Sequence, residues 1–292
     1  MMPIATFSIV AYDPQRQEWG VAVQSKFLAA AAVVSWARAG AGAVATQSFA
    51  NLDYGPQGLA MMAKGRSSRE TIEALVADDP LRASRQVGMV DRQGEAFAYT
   101  GADSNHWAGH HIGEGYTCQG NILIPGTVEA MAAAFERSRQ GPGELADWLV
   151  QALAAGQEAG GDSRGRQAAG VLVVRENGGY GGKTDRYLDL RVDDDPFPIR
   201  KLGQLVEMHH LFFGSTDPTD LLAIDEDTAL RIQRLVRRSE DYAGPLSGDL
   251  DDATAQAFTR LVGRENLEER WSGDRERIDR LVLDYLEERL ND

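Results

Sequence analysis

A threonine near the start of the chain is the residue whose type and position most suggest a chemical role. Thr6 opens the segment TFS, and Ser8 follows two positions later. A threonine whose own α-amine is free can act as both nucleophile and base, and because that amine has a pKa near 8, a substantial fraction is neutral at pH 7. Five residues precede Thr6, so this chemistry requires cleavage between Ala5 and Thr6. The alternative is a purely structural role, since threonine is a good strand former.

Histidines form the second group of candidate chemical residues. His106, His110 and His111 lie within six positions, and His209 and His210 form a distant pair. The spacing predicts an exposed loop with three histidines, but no HExxH or CxxC motif surrounds it, so we expect no metal and no cofactor. A metalloenzyme that uses these three histidines remains a third alternative. The sequence also lacks a phosphate-binding P-loop.

The elements that position these residues follow an α+β pattern. Alternating and apolar runs predict strands, and 3.6-residue periodicity predicts helices. Predicted strands cover residues 4–12, 19–27, 42–49, 86–91, 96–100, 168–174 and 186–192, and predicted helices cover 57–64, 69–77, 127–137 and 145–155. Hairpins outnumber parallel crossovers, which favours antiparallel sheets. We therefore expect a four-layer αββα sandwich, with two sheets inside and helix pairs outside.

The last third of the chain has a different composition. From Lys201 onward it holds 12 Lys and Arg against 21 Asp and Glu, a net charge of −9 within a total of −14, and only 6 of the 31 glycines. Helical periodicity over residues 202–213, 228–238, 253–262 and 277–290 predicts a small all-α domain after a stiff linker at 196–198. The predicted domains are residues 1–198 and 199–292.

The global composition excludes several classes of protein. So acidic a chain is a poor partner for nucleic acid or an anionic membrane surface. The single cysteine, Cys118, excludes a disulfide framework, and no apolar run is long enough to span a bilayer. The first residues do not read as a signal peptide, so we expect a cytoplasmic protein. The sequence leaves the oligomeric state open, and a homo-oligomer is compatible with it.

Several segments of the first domain carry a family resemblance. They are residues 6–14 (TFSIVAYDP), 19–27 (WGVAVQSKF), 36–48 (WARAGAGAVATQS), 116–121 (YTCQGN), 160–167 (GGDSRGRQ) and 185–194 (DRYLDLRVDD). Together they resemble a bacterial domain-of-unknown-function family that belongs to the N-terminal-nucleophile (Ntn) hydrolase superfamily. The resemblance implies the αββα sandwich and hydrolysis of a small amide or peptide bond.

The same resemblance implies roles for individual residues. Thr6 is the expected nucleophile, Arg38 the cation that tunes it, Asn121 the oxyanion donor on a loop, and Asp162 the nearby acidic residue. Arginine stands where the proteasome-like members have lysine, and it cannot act as a base. We predict that the substrate is bound by Ser25, Gln47, Gln119 and Arg166. Ser8, Ser25 or Ser48 as nucleophile, Asp162 as a simple turn residue paired with arginine, and a non-catalytic binding protein on the same fold all remain alternatives.

The acidic tail carries a resemblance of its own. Residues 224–233 (IDEDTALRIQ) and 244–258 (GPLSGDLDDATAQAF) resemble peptidoglycan-binding modules, which are small helical bundles with a glycine/aspartate loop. The resemblance implies a muropeptide as partner. A helical cap or dimerisation domain that has kept the fold of the module is the alternative.

Overall fold

The computed structural model describes residues 6–104, 106–214, 216–271 and 273–290. The chain divides into two units, Met1–Val206 and Glu207–Asp292. The strands of the first unit are β1 (Thr6–Asp13), β2 (Glu18–Ser25), β3 (Ser35–Arg38), β4 (Gly42–Ser48), β5 (Arg85–Asp91), β6 (Ala96–Thr100), β7 (Gly109–Gly113), β8 (Tyr116–Asn121), β9 (Ala168–Val174) and β10 (Arg186–Val192). Its helices are α1 (Ala30–Val34), α2 (Tyr54–Ala63), α3 (Ser68–Ala77), α4 (Thr127–Ser138) and α5 (Leu145–Glu158), and α6 (Pro198–Phe213) contains the division between the units.

Two antiparallel sheets build the first unit. One has six strands in the order β10-β9-β2-β1-β8-β7, and the other has four in the order β3-β4-β5-β6. Every pair of neighbouring strands is antiparallel. The first hairpin pairs Thr6 with Ser25 and Asp13 with Glu18. This confirms the α+β class and the antiparallel sheets expected from the sequence.

Three apolar clusters fill the first unit. Phe7 and Ile9 of β1 lie in a cluster with α4 and α5, on one face of the six-stranded sheet. Val10, on the opposite face of β1, shares a second cluster with Ala43 and Val90 of the other sheet. The third cluster joins the remaining face of the four-stranded sheet to α2 and α3. Since side chains alternate across a strand, β1 contributes to the first two clusters at once.

Local signals explain the helix boundaries. Ser67 caps α3, because its hydroxyl accepts from the amide of Glu70 while the Glu70 carboxylate accepts from the amide of Ser67. This capping box satisfies two amides that the first helical turn leaves without partners.

The sequence analysis does not predict three of the observed strands. Residues 35–38 form β3 directly after the short helix α1, inside an alanine-rich run whose composition favours helix. Strands β7 and β8 occupy residues 109–113 and 116–121. His110 and His111 therefore lie in strand β7, and the expected histidine loop is wrong at these two residues. The polar sequences of β7 and β8 lack the apolar alternation that reveals a strand.

The second unit is mainly helical but also contains a small sheet. It comprises β11 (Leu221–Ala223), α7 (Glu226–Arg238), α8 (Asp252–Arg264), β12 (Arg277–Asp279) and α9 (Arg280–Arg289). The helical region expected at this end of the chain is confirmed. The antiparallel pair of β11 and β12 was not expected, and the predicted helix over 277–290 begins with a strand. Phe258 and Trp271 pack edge to face in its core. Asp225 and Asp251 cap α7 and α8 by accepting from the amides of Thr228 and Thr254.

Among the described residues, none of the helices combines the length and apolar character that crossing a membrane requires.

Candidate functional site

Three predicted site residues form one row across the six-stranded sheet. Thr6 opens β1 and pairs with Ser25 on β2 and with Asn121 on β8. All three are fully buried, and residues in register on neighbouring strands project from the same face. The Thr6 hydroxyl donates to Ser25 Oγ at 3.1 Å. The sheet register thus brings Thr6 and Asn121 together with Ser25.

Gln47 reaches this row from the four-stranded sheet. Its Nε2 donates to Gln86 Oε1 at 2.9 Å and to the Thr6 carbonyl at 3.3 Å. Its Oε1 accepts from the Ser8 hydroxyl at 2.6 Å. One side chain therefore ties the two sheets together beside Thr6.

Gln119 holds the other side of Ser8. Its Nε2 donates to Ser8 Oγ at 2.7 Å, while its Oε1 is buried without a protein partner. Gly88 on the facing strand makes room for this side chain. A Cβ at position 88 would overlap Gln119 Oε1 and lie 2.5 Å from Thr117 Oγ1. The absence of a side chain at Gly88 is thus what lets Gln119 lie between the sheets.

Asn121 and Gln86 complete the polar layer. Asn121 Nδ2 donates to Gln86 Oε1 at 3.1 Å, and Gln86 Nε2 donates to the carbonyl of Gly120 at 2.8 Å. Asn121 Oδ1 is buried and has no protein partner, so it can accept a hydrogen bond from another group beside Thr6. We call the set Thr6, Ser8, Ser25, Gln47, Gln86, Gln119 and Asn121 the polar layer. Each of its side chains is uncharged, which avoids the large cost of burying an unpaired charge.

Asp162 lies next to this layer but is already engaged. Its Oδ2 accepts from the amide of Lys26 at 2.9 Å, and its two oxygens pair with the guanidinium of Arg164 at 3.1–3.2 Å. Asp162 also forms an isolated bridge with Leu123. The carboxylate of Asp162 thus anchors the end of β2, which carries Ser25, and its backbone bridge lies just beyond the end of β8, which carries Asn121. This contact pattern fits a positioning role.

The two predicted arginines occupy exposed positions and are not part of the polar layer. Arg38 is exposed and pairs with Gly42, at the end of β4 opposite to Gln47. The structure does not bring Arg38 to the polar layer. Arg166 is also exposed, and its guanidinium lies 4.8 Å from the centre of the Phe197 ring.

Two expectations about the site change with the structure. Gln119 and Asn121 lie in strand β8, so the loop predicted for them is wrong. The sequence analysis does not identify Gln86 and Gly88 as residues of the site. A polar residue on an otherwise apolar strand, at Ser8, Gln47 and Gln86, is the signal that could have revealed the layer.

One histidine, His110, is connected to the polar layer through Thr100. Thr100 Oγ1 accepts from Gln86 Nε2 at 3.0 Å and lies 2.8 Å from His110 Nδ1. The imidazole tautomer determines which of the Thr100 hydroxyl and His110 Nδ1 is the donor. Burial, together with the neighbouring His111, lowers the pKa of His110 and favours the neutral imidazole. Within the described ranges, no three His, Cys, Asp or Glu side chains are grouped closely enough to hold a metal ion.

Sequence comparison identifies the family of the first unit. Residues 6–202, two-thirds of the chain, match the model of the "Family of unknown function (DUF1028)". The chain belongs to the DUF1028 family. A solved structure described as a DUF1028 protein from Silicibacter pomeroyi is 27% identical, with a TM-score of 0.63 over 70% of this chain and 89% of that chain.

The second unit matches a different model. Residues 212–286 match the family described as "Putative peptidoglycan binding domain". No curated protein matches the chain. The DUF1028 family and a peptidoglycan-binding-like domain are thus joined in one chain, as the two resemblances in the sequence imply.

Proposed function

We propose that the DUF1028 unit is an Ntn-type hydrolase of small amide or peptide bonds, with Thr6 as its nucleophile. The observation that carries the proposal is the row of Thr6, Ser25 and Asn121 at the start of β1. Two facing antiparallel sheets with helix pairs on their outer faces agree with the sandwich of that superfamily. Family membership by itself assigns no reaction.

The proposed reaction begins with release of the Thr6 amine. Ala5 and the residues before it lie outside the described part of the chain, and hydrolysis of the Ala5–Thr6 bond would free the amine. The amine takes the proton of the Thr6 hydroxyl as Oγ1 attacks the substrate carbonyl carbon. The resulting ammonium returns that proton to the leaving amine as the C–N bond breaks. Water then hydrolyses the Thr6 ester and releases the acid.

Neighbouring side chains are suited to assist these steps. Ser25 Oγ accepts from the Thr6 hydroxyl and holds its orientation. Asn121 Nδ2 has two N–H groups and gives one of them to Gln86, which leaves the second for the oxyanion. Its unpartnered Oδ1 can accept from the Thr6 ammonium. Asp162 holds the end of β2 through the amide of Lys26 and bridges to Leu123, beyond the end of β8.

Ser8 and Ser48 are weaker candidates for the nucleophile. Ser8 is held by two glutamine side chains, and Ser48 Oγ is buried without a partner. Arg38 has no part in the proposal because of its place at the far end of β4. Since Thr6 is fully buried, the proposal also requires that processing or a displacement of the strand ends opens a path for substrate.

The test combines intact mass with hydrolysis. We expect the mature chain to begin at Thr6. A chain released from a cleavable fusion so that Thr6 is the first residue should hydrolyse amino-acid and dipeptide p-nitroanilides. Thr6→Ala should lower the rate by at least about a thousandfold, as removal of a nucleophile does. Thr46→Val is the matched control, because Thr46 is a buried threonine whose hydroxyl instead donates to the carbonyl of Asn51.

One result would support the non-catalytic alternative. A chain that retains residues 1–5, and whose hydrolysis rate is unchanged by Thr6→Ala, has no threonine nucleophile. Saturable binding of amides or muropeptides without turnover would then make the unit a ligand-binding domain. Burial of Thr6 and engagement of Asp162 by Arg164 are the observations that favour this second candidate.

For the second unit we propose binding of muropeptide. The match over residues 212–286 supports it. In this unit Gln233 fixes a loop, since its Nε2 donates to Ser247 Oγ and its Oε1 accepts from the amide of Gly248. Isolated sacculi should retain the full chain and release a chain that ends at Val206. Equal retention of both chains would exclude this role.

A further inference from the structure

A cavity opens beside the Asp162 loop on the first unit. Its volume is about 510 Å³, within the range of small-molecule sites. Its lining residues come from the segment after β8, the end of α5 and the following loop: Ile124, Gln157, Glu158, Gly160, Asp162, Ser163, Gly165 and Arg166. None of these lining residues belongs to the polar layer.

The cavity is nonetheless connected to the Thr6 row. Asp162 lines it, and the same carboxylate accepts from the amide of Lys26, the residue after Ser25. Ile124 follows the segment that leaves Asn121, and its amide donates to the carbonyl of Gly161. A ligand in this cavity therefore lies at the strand ends that carry Ser25 and Asn121.

The charges of the lining balance. The Asp162 carboxylate is compensated by its ion pair with Arg164. Glu158 and Arg166 are exposed, and within the described ranges neither forms an ion pair. The lining thus offers one unpaired anion and one unpaired cation, with no net charge. Such a lining complements a ligand that carries one positive and one negative group.

One further residue refines this ligand. Ile124 is 42% exposed and offers an apolar surface. An ammonium donates to carboxylate oxygens, and a carboxylate accepts from guanidinium.

We propose that this cavity binds the zwitterionic backbone of a short unblocked peptide. Glu158 takes its ammonium, Arg166 takes its carboxylate, and Ile124 contacts its apolar side chain. The proposal deepens the proposed hydrolase function, on which it rests for the identification of this ligand as the substrate. It makes short free peptides the preferred substrates, ahead of proteins and of amides that lack one of the two terminal charges.

The experiment measures binding separately from turnover. Full-length Thr6→Ala protein is titrated by calorimetry with three probes: alanyl-alanine, N-acetyl-alanyl-alanine and alanyl-alanine amide. The second probe lacks the ammonium and the third lacks the carboxylate. Glu158→Gln and Arg166→Gln are made in the same background. Arg92→Gln and Glu95→Gln, exposed residues of the turn after β5, are the matched controls.

Alanyl-alanine should bind, and loss of either charge should weaken binding about tenfold, the effect of one charge-assisted hydrogen bond. Acetylation should have no further effect in Glu158→Gln, and amidation none in Arg166→Gln. The controls should bind as the parent does. Equal affinity for all three probes, or no saturable binding of alanyl-alanine at millimolar concentration, would overturn the proposal.

The two proposals can fail separately. Charge-dependent binding without hydrolysis by any form of the chain leaves the cavity site standing and removes the hydrolase. Thr6-dependent hydrolysis whose KM is unchanged by Glu158→Gln and Arg166→Gln leaves the hydrolase standing and removes this site.

Discussion

Replacement of Gln47 by leucine should weaken the connection between the two sheets. The Ser8 hydroxyl loses its acceptor at 2.6 Å, and Gln86 Oε1 and the Thr6 carbonyl each lose one donor. Gln86 Oε1 keeps its bond from Asn121. A buried polar group left without its partner costs about 1–3 kcal/mol, while leucine fills a similar volume. We therefore expect the free energy of unfolding to fall by about 2–4 kcal/mol.

Urea denaturation of a double-mutant cycle measures this effect. Ser8→Ala with Gln47→Leu should cost about 1–2 kcal/mol less than the sum of the two single variants, because the double variant no longer holds an orphaned hydroxyl. Ser48→Ala is the control: Ser48 is equally buried on the same strand, but its Oγ has no partner, so this variant should change stability by less than about 1 kcal/mol. If Gln47→Leu is as mild as the control, or if Ser8→Ala and Gln47→Leu are additive, the reasoning is refuted.

Three further predictions concern charge and packing. Burial, opposed by Arg175, raises the pKa of Glu18 from 4.5 to about 7. Because the folded state keeps this proton to a higher pH than the unfolded state, the free energy of unfolding should fall by about 3 kcal/mol between pH 4.5 and 7. Urea denaturation at several pH values should show a smaller fall in Glu18→Gln. Burial of Asp79 is outweighed by hydrogen bonds from Arg85, Asn51, Tyr54 and the amide of Leu81, which hold its pKa well below the usual range. The ionised Asp79 carboxylate therefore stabilises the folded state above about pH 4, and this stabilisation is lost as the pH falls. Asp79→Asn should lower the free energy of unfolding by about 3 kcal/mol at pH 7 and should reduce its dependence on pH below about pH 4. The same dependence on acid pH in Asp79→Asn and in the parent would contradict this. Gly88→Ala should lower the melting temperature and disturb Gln119, and a variant that melts like the parent would show that the space between the sheets is larger than described.

The first hairpin could be derived from the sequence because its signals are local. Alternating strand residues flank a short turn, and the number of turn residues determines the register that pairs Thr6 with Ser25. The serine cap of α3 is local in the same way. Placement of Thr6 beside Ser25 therefore needs no knowledge of the rest of the chain.

The position of Asn121 and Arg38 depends on distant contacts. Strand β8 pairs with β1 across more than a hundred residues, and nothing near residue 121 encodes that choice. Arg38 ends a strand hidden in an alanine-rich run, and only the pairing with Gly42 defines its end of the sheet. Gln86 meets Gln47 through one strand pair, but its contact with Asn121 requires the two sheets to face each other. Such contacts arise from the packing of whole sheets, which a local pattern does not contain.

The side-chain amides of the polar layer can also report how often the two sheets separate. The carboxamide N–H groups of Gln47, Gln86, Gln119 and Asn121 are shielded from solvent between the sheets. They can exchange with deuterium only when the sheets separate, so their slow side-chain NMR signals would time that separation. Because Thr6 is buried in the same layer, the exchange rate of these amides sets an upper limit on how often an intact chain can admit a substrate.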